Sequence, residues 1–337
     1  MTKSLNPTRR TVLLGTVGTL AGTIGMPVVL RAQSTVKLTL GHGAAPGNPR
    51  SVAADRMAAL IKERSSGRIE VRVAGSAQLG DDAAMLTGLR TGTLDLSVNS
   101  QGACSAVLPE LAALGLPFLF TNAAAAYKIV DGPIGAELAK RFDSVGLISL
   151  GFWDNGTRHT TNSKRPILKP EDLKGLKVRT PPDSMTIDIF QALGAATQQI
   201  AFAELYVALQ QGVVDGQENP LANIHSAKLF EVNKFISLTG HKWECNPVLA
   251  SRVSWGKLNA DDQKLVREAA REAGDHQRKL MQEIDAKLLS DFKANSAVAV
   301  NEVDQALFRN ATGAVADRWE AKPFGDFVKR LRSAAAA

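Results

Sequence analysis

An internal echo constrains this chain more than any other feature. The stretch GLRTGTLDLSVNS (Gly88–Ser100) returns in altered form as ALQQGVVDGQENP (Ala208–Pro220). Leu89 matches Leu209, Gly92 matches Gly212, Asp95 matches Asp215 and Asn99 matches Asn219, with one constant offset of 120 residues. Each copy reads as a helix stopped by glycine, a short strand, and a polar loop leaving the strand's carboxyl end. IEVRVAG before the first copy and LKVRTPP before the second form a weaker echo. The pattern calls for two lobes of related design. In open α/β sheets the carboxyl edge of the strands is where ligands bind.

The surrounding pattern agrees with such sheets. VKLTLGHG reads as a strand, and a helix follows with Ala53, Met57, Leu60 and Ile61 on one face. Gly67 stops that helix, and RIEVRV then alternates apolar with charged residues. Strand, helix, strand in this order predicts α/β units and a largely parallel sheet. At 337 residues the chain exceeds one ordinary hydrophobic core, so two domains are expected. Asn259 can cap a helix that runs on for some 35 residues, with Asp261 and Asp262 in its first turn. A helix that long serves either as a coiled-coil arm or as a strut across both lobes.

Charge and motifs narrow the function. The formal net charge is +7, but residues 1–32 hold Lys3, Arg9, Arg10 and Arg31 and no acid. Without them 36 basic residues face 33 acidic ones, a poor match to a nucleic-acid binder. Those 32 residues read as a cleaved export signal, with twin arginines suggesting the Tat route and a cut at Ala32. No later segment is apolar enough to span a membrane. Cys104 and Cys245 can form one disulfide in an oxidising compartment or remain two buried thiols. The sequence has no GxSxG elbow, Walker loop, HExxH or strand-linked GxGxxG. His42, His159, His225, His241 and His276 are scattered, so neither an enzyme nor a metal or cofactor site is expected.

The densest polar chemistry lies in GFWDNGTRHTTNSKRPILKPEDLKGLKVRTPPDS. Arg158 follows a turn, and Arg179 ends the strand LKVR just before Pro181 and Pro182. An arginine at a strand's carboxyl end suits a carboxylate, which its fork grips with two parallel hydrogen bonds. A lone arginine is more often a solvated surface charge. Trp153 and Trp243 have even odds of packing in a core or walling a cleft. Asn219, followed by Pro220, is either a helix cap or a residue at a ligand site.

That segment, together with AFAELYVALQQGVVDGQENP, GSAQLGDDAAMLTGLRTGTLDLSV and LPFLF, resembles the solute receptors of TRAP transporters, the DctP type, from about Val36 to about Phe327. The resemblance implies a periplasmic, two-lobed periplasmic-binding-protein-like α/β fold with the long helix spanning both lobes. It implies capture of an organic acid anion by cleft closure and delivery to a TRAP membrane permease, by a monomer without a cofactor. It makes Arg179 the main carboxylate clamp, Arg158 a second cationic contact, Asn219 a hydrogen-bonding partner and Phe202 a pocket wall. Trp153 and Trp243, on the cleft-wall alternative above, line the crevice beside Phe202. His42, Asn48 and Gln101 are expected on the loops that close over the ligand's other end. Lobe one is expected at 34–156 plus 246–285, and lobe two at 157–245 plus 286–330. An exported enzyme acting on an acid, or a sensor module for a membrane receptor, are the rival readings.

Overall fold

A computed structural model describes residues 35–337, so the export segment lies outside the described residues. Nine strands form one sheet: β1 Val36–His42, β2 Ile69–Ala74, β3 Leu96–Val98, β4 Leu147–Asn162, β5 Lys177–Thr180, β6 Ala196–Gln199, β7 Gly216–Asn219, β8 Phe235–Ser251 and β9 Ala299–Glu302. The strand order is β2-β1-β3-β8-β4-β7-β5-β6, with β9 on β8. Two parallel groups stand apart, β2-β1-β3 and β7-β5-β6. Between them β4 and β8 pair antiparallel from Leu147 opposite Ser251 to Asn162 opposite Phe235. β3 pairs with Val248–Ala250 of β8, while β7 pairs with His159–Asn162 of β4. The long pair therefore carries one parallel group at each end.

The sequence echo has a local cause. Gly92 and Gly212 both take positive φ (79° and 70°), which ends each helix and turns the chain into β3 or β7. The aspartate that follows does the same work twice. Asp95 accepts the Thr39 N–H of neighbouring β1 at 2.8 Å, and Asp215 accepts the Lys177 N–H at the start of neighbouring β5 at 2.9 Å. Each carboxylate ties its strand to the parallel neighbour and so sets the register of its group.

The long helix runs Ala260–Ala294, capped by Asn259, whose side chain accepts the Asp262 N–H at 2.9 Å. At 1.5 Å per residue it is about 50 Å long. Val266, Ala269, Ala270 and Ala273 join a core with Leu40, Met57, Ile61 and Val98. Met281, Leu288 and Phe292 join a second core with Leu205, Leu209 and Ile236. One helix thus serves two cores, which accounts for its length without a coiled-coil partner.

A third core packs elsewhere and joins both ends of the sheet. Phe308, Trp319, Phe327 and Leu331 share it with Leu111, Leu138 and Phe142, and also with Ile189 and Phe190. Trp319 Nε1 donates to Asp188 at 2.7 Å, and Arg330 pairs with Glu137 at 2.7 Å. The C-terminal helices therefore belong to neither half alone, contrary to the placement of 286–330 wholly in lobe two. Cys104 and Cys245 are both buried free thiols. Among the described residues no helix is long and apolar enough to cross a membrane, and no cluster of His, Cys, Asp or Glu has metal-ligand geometry.

Candidate functional site

A cavity of ≈ 280 Å³ opens where the two parallel groups face each other across β4 and β8. From the first group's side Gly43, Arg50, Asp82 and Ser100 line it. From the other side come Asn155, Arg158, Arg179, Phe202 and Asn219.

Arg179 sits in register with Gln198 of β6 and Gln217 of β7, at the carboxyl end of β5. Pro181 and Pro182 then break the strand and form cleft wall. Its Nε donates to Ile200 O at 2.8 Å, which fixes the plane of the fork. It forms no other hydrogen bond and no ion pair among the described residues, though it is only 2% exposed. Burial, with Arg158 nearby, outweighs the pull of Glu218 and lowers its pKa to about 10. Arg179 is still charged at neutral pH, and its terminal nitrogens face the cavity without a protein acceptor.

Arg158 reaches the same cavity in a different state. Its Nη2 donates to Glu218 Oε1 and to the Glu218 carbonyl, both at 2.6 Å, and to Asn219 Oδ1 at 3.2 Å. Its Nε pairs with Glu218 Oε2 at 2.5 Å, and its Nη1 with Glu244 Oε2 at 2.9 Å. Burial disfavours the charge, but Glu218 and Glu244 overcome it and hold the pKa above the ordinary arginine value. Of five guanidinium N–H groups, one on Nη1 is left for anything in the cleft.

Asn219 is not a helix cap. The short helix starts at Leu221, Pro220 occupies the cap position, and no side chain caps it. The Asn219 amide instead donates to Gln217 Oε1 and accepts from Arg158 Nη2 and from Asn223 Nδ2 at 3.2 Å. It is a cleft residue locked by its neighbours, and Phe202 is among the residues that line the cavity.

The two tryptophans are core residues. Trp153 donates to Ala270 O at 2.9 Å and packs on the long helix at Gly274. Trp243 donates to Asp154 Oδ1 at 2.7 Å and meets Phe120 and Tyr127 edge to face. Neither lines the cavity. His42 and Gln101 lie behind the wall, both fully buried. His42 Nδ1 accepts the Ala44 N–H, and burial lowers its pKa to about 4. Gln101 Oε1 accepts the Cys245 N–H. Asn48 caps the first helix through Arg50 N and donates across the cleft to Asn223 Oδ1 at 2.9 Å.

Sequence reasoning missed Glu218 and Glu244, the anions behind Arg158, and Lys242, which Glu244 and Asp183 neutralise at 2.6 and 3.0 Å. An acid inside a short buried strand such as GQEN was the available signal, since such a charge needs a buried cation. Arg50 was missed too. A cation in a helix's first turn opposes the helix dipole, and that misfit marked it.

Two parallel groups joined by a long antiparallel pair, with an unneutralised arginine in the cleft between them, define a periplasmic-binding-protein-like receptor. Residues 40–322 match the model of bacterial extracellular solute-binding protein, family 7, and the chain belongs to that family. It is 58% identical to protein y4mM of Sinorhizobium fredii, over 92% of this chain; the chain spans only 57% of that relative's length. It is 34% identical to the 2,3-diketo-L-gulonate-binding periplasmic protein YiaO of Escherichia coli, over 84% of this chain and 86% of YiaO. Among solved structures, the sugar acid binding protein DctPAm of Advenella mimigardefordensis in complex with galactonate superposes with a TM-score of 0.87. It shares 30% identity over 90% of this chain and 98% of its own.

Proposed function

We propose that this chain is an exported receptor that captures an organic acid anion and presents it to a TRAP-type membrane permease. The observation that carries this reading is Arg179, a buried cation at a strand's carboxyl end with no protein anion to pair with. A buried charge costs several kcal/mol unless paired, so the site is built for an anion to complete it. The relatives that bind galactonate and 2,3-diketo-L-gulonate support a sugar acid as the ligand class. Asn219 and the free Nη1 proton of Arg158 then complement Arg179, and Phe202 covers the apolar side.

Closure follows from the same sheet. The lobes correspond to 34–156 plus 246–285 and to 157–245, with 286–302 packed on the second and the helices from Gln305 onward shared through the third core. β4 and β8 cross between them, and a register shift between Asp154 and Gly156 lies opposite Glu244 and Cys245. That bulge interrupts the ladder, so it is the natural place to bend. Side chains at Asn48 and Asn223 meet when the lobes are closed.

A thermal-shift screen of the purified chain against a carboxylate library tests this. A ligand at 100 times its Kd stabilises the fold by about 2.7 kcal/mol. Arg179→Gln is expected to abolish that shift while the unliganded melting temperature holds or rises. Retained binding in Arg179→Gln rules the reading out.

A further inference from the structure

Arg179 is not the only cation in the cleft without a counter-charge. Arg50 lies in the first turn of the helix Pro49–Arg64, 7% exposed, and lines the same cavity from the opposite side. Its Nη2 donates to the neutral Asn155 Oδ1 at 3.1 Å, and its buried Nε has no partner. It forms no ion pair among the described residues. Burial lowers its pKa, and the Asp82 charge offsets this only in part. The dipole of its own 16-residue helix opposes a positive charge at this end. Burial, the helix dipole and the nearby Arg158 charge thus disfavour the cation, and Asp82 and Glu244 offset them only in part, which leaves room for an anion in front of Arg50.

Asp82 does not answer that demand. Its Oδ2 already accepts the Ser100 N–H at 3.0 Å and the Ser100 hydroxyl at 2.6 Å. Its Oδ1 has no hydrogen bond among the described residues and lies beside the cleft-lining Gly43. A carboxylate oxygen in that position accepts a hydroxyl and repels an anion. Asp82 is thus suited to a ligand hydroxyl on the Gly43 side of the cleft.

We infer that Arg50 is a specificity-determining residue that binds a second ionised oxygen group, so that the ligand is a hydroxylated diacid. One terminal carboxylate would sit on Arg179, the other on Arg50, with a hydroxyl donating to Asp82 Oδ1. Asn155 holds the Arg50 fork through a neutral bond, leaving its charge for the ligand. Arg158 cannot take this role, because Glu218 and Glu244 already neutralise it. The inference rests on the anion-receptor reading above and narrows it from monoacids to diacids.

The test is calorimetric titration of the purified full chain with two matched pairs, galactarate against galactonate and tartrate against threonate. Each pair keeps its carbon chain and changes one end from carboxylate to hydroxymethyl. At least one diacid is expected to bind about tenfold or more tighter than its monoacid. Arg50→Gln should weaken that diacid about 30-fold or more and the monoacid less than about 3-fold. Arg50→Lys, which keeps the charge, should retain part of the preference, and melting curves check that both variants fold. Monoacids that bind as tightly as their diacids, no binding of any of the four, or an equal loss on both members in Arg50→Gln would each overturn the inference. Arg179→Gln separates the two readings. If it abolishes binding while monoacids are preferred, only the role of Arg50 fails; if it binds normally, the anion-receptor reading fails with it.

Discussion

Glu218→Gln separates an arginine that holds the fold from one proposed to hold a ligand. The Glu218 side chain is fully buried, and it accepts from Nε and Nη2 of Arg158 and pairs with His241 Nε2 at 3.2 Å. Burial would raise its pKa, but Arg158 and Lys242 together drive it well below the ordinary value, so it is ionised throughout the usable pH range. Glutamine keeps the shape and one acceptor oxygen but removes the charge. Breaking a buried pair from one side costs about 3–5 kcal/mol. The retained acceptor and Glu244 place this case near 3 kcal/mol, or roughly 5 °C in melting temperature for a chain of this size. The ligand side moves the other way. Glu218 is the strongest negative charge felt by Arg179, though not paired with it, so its loss leaves Arg179 more open to an incoming carboxylate. Differential scanning calorimetry with and without a bound acid should show a lower unliganded melting temperature and an undiminished or larger ligand shift. Glu218→Gln/Arg158→Met, which removes both charges, should recover part of the stability. An unliganded melting temperature equal to wild type, or a lost ligand shift in a normally folded Glu218→Gln, would refute the division of labour between Arg158 and Arg179.

Two further substitutions probe the crossing region. At Gly274 a Cβ would stand 2.6 Å from Trp153 Cδ1 and 2.7 Å from Nε1, so Gly274→Ala must displace a rigid buried ring. Overpacking costs about 1–3 kcal/mol, and alanine returns about 1 kcal/mol of helix propensity. A net loss of up to about 2 kcal/mol is expected in urea melts, and a stabilised variant would show the contact to be soft. Asp285, on the long helix, has its pKa raised to about 7 by burial and by the Asp154 charge, with Tyr127 also near. Its folded state holds a proton that the unfolded chain releases near pH 4, so its contribution to stability falls as pH rises from 4 to 7. Asp285→Asn should therefore stabilise the protein more at pH 8 than at pH 5, by about 1–2 kcal/mol once the residual solvent screening of this mostly buried site is allowed for. Equal stabilisation at both pH values would show that Asp285 titrates normally.

What the sequence disclosed and what it hid divide along one physical line. The echo was legible because Gly92 and Gly212, Asp95 and Asp215 act on backbone within their own parallel group. The long helix was legible because Asn259, Asp261 and Asp262 mark its start locally. The place of Arg179 at a carboxyl edge was legible because two prolines follow its strand, whereas its proposed role rested on the family resemblance. Trp153 and Trp243 were not, since side-chain facing along β4 depends on register shifts at Ser149/Gly151, Asp154/Gly156 and Arg158/Thr160. Each shift breaks the alternation of faces, and Trp153 falls between the first two. Pairing across β4 and β7 sets Glu218 behind Arg158 from 60 residues away, and nothing near Arg158 announces it.

The same line explains how one cleft can hold three arginines and use them differently. Sequence records the cation; the fold decides whether an anion stands behind it. Arg158 leaves β4 facing β7 and β8, and each of those strands supplies a carboxylate, so its charge is spent on joining strands. Arg179 ends β5, where the partner strands β6 and β7 offer glutamines at its register, and Arg50 leaves a helix toward an asparagine. Neutral partners hold a fork in place without cancelling its charge. On the proposed reading, an arginine fixed by amides and carbonyls is kept for a ligand, and one fixed by carboxylates is kept for the fold. Exchanging the two environments, with Asn155→Asp placed against Arg50, should abolish any diacid preference while leaving binding at Arg179 intact.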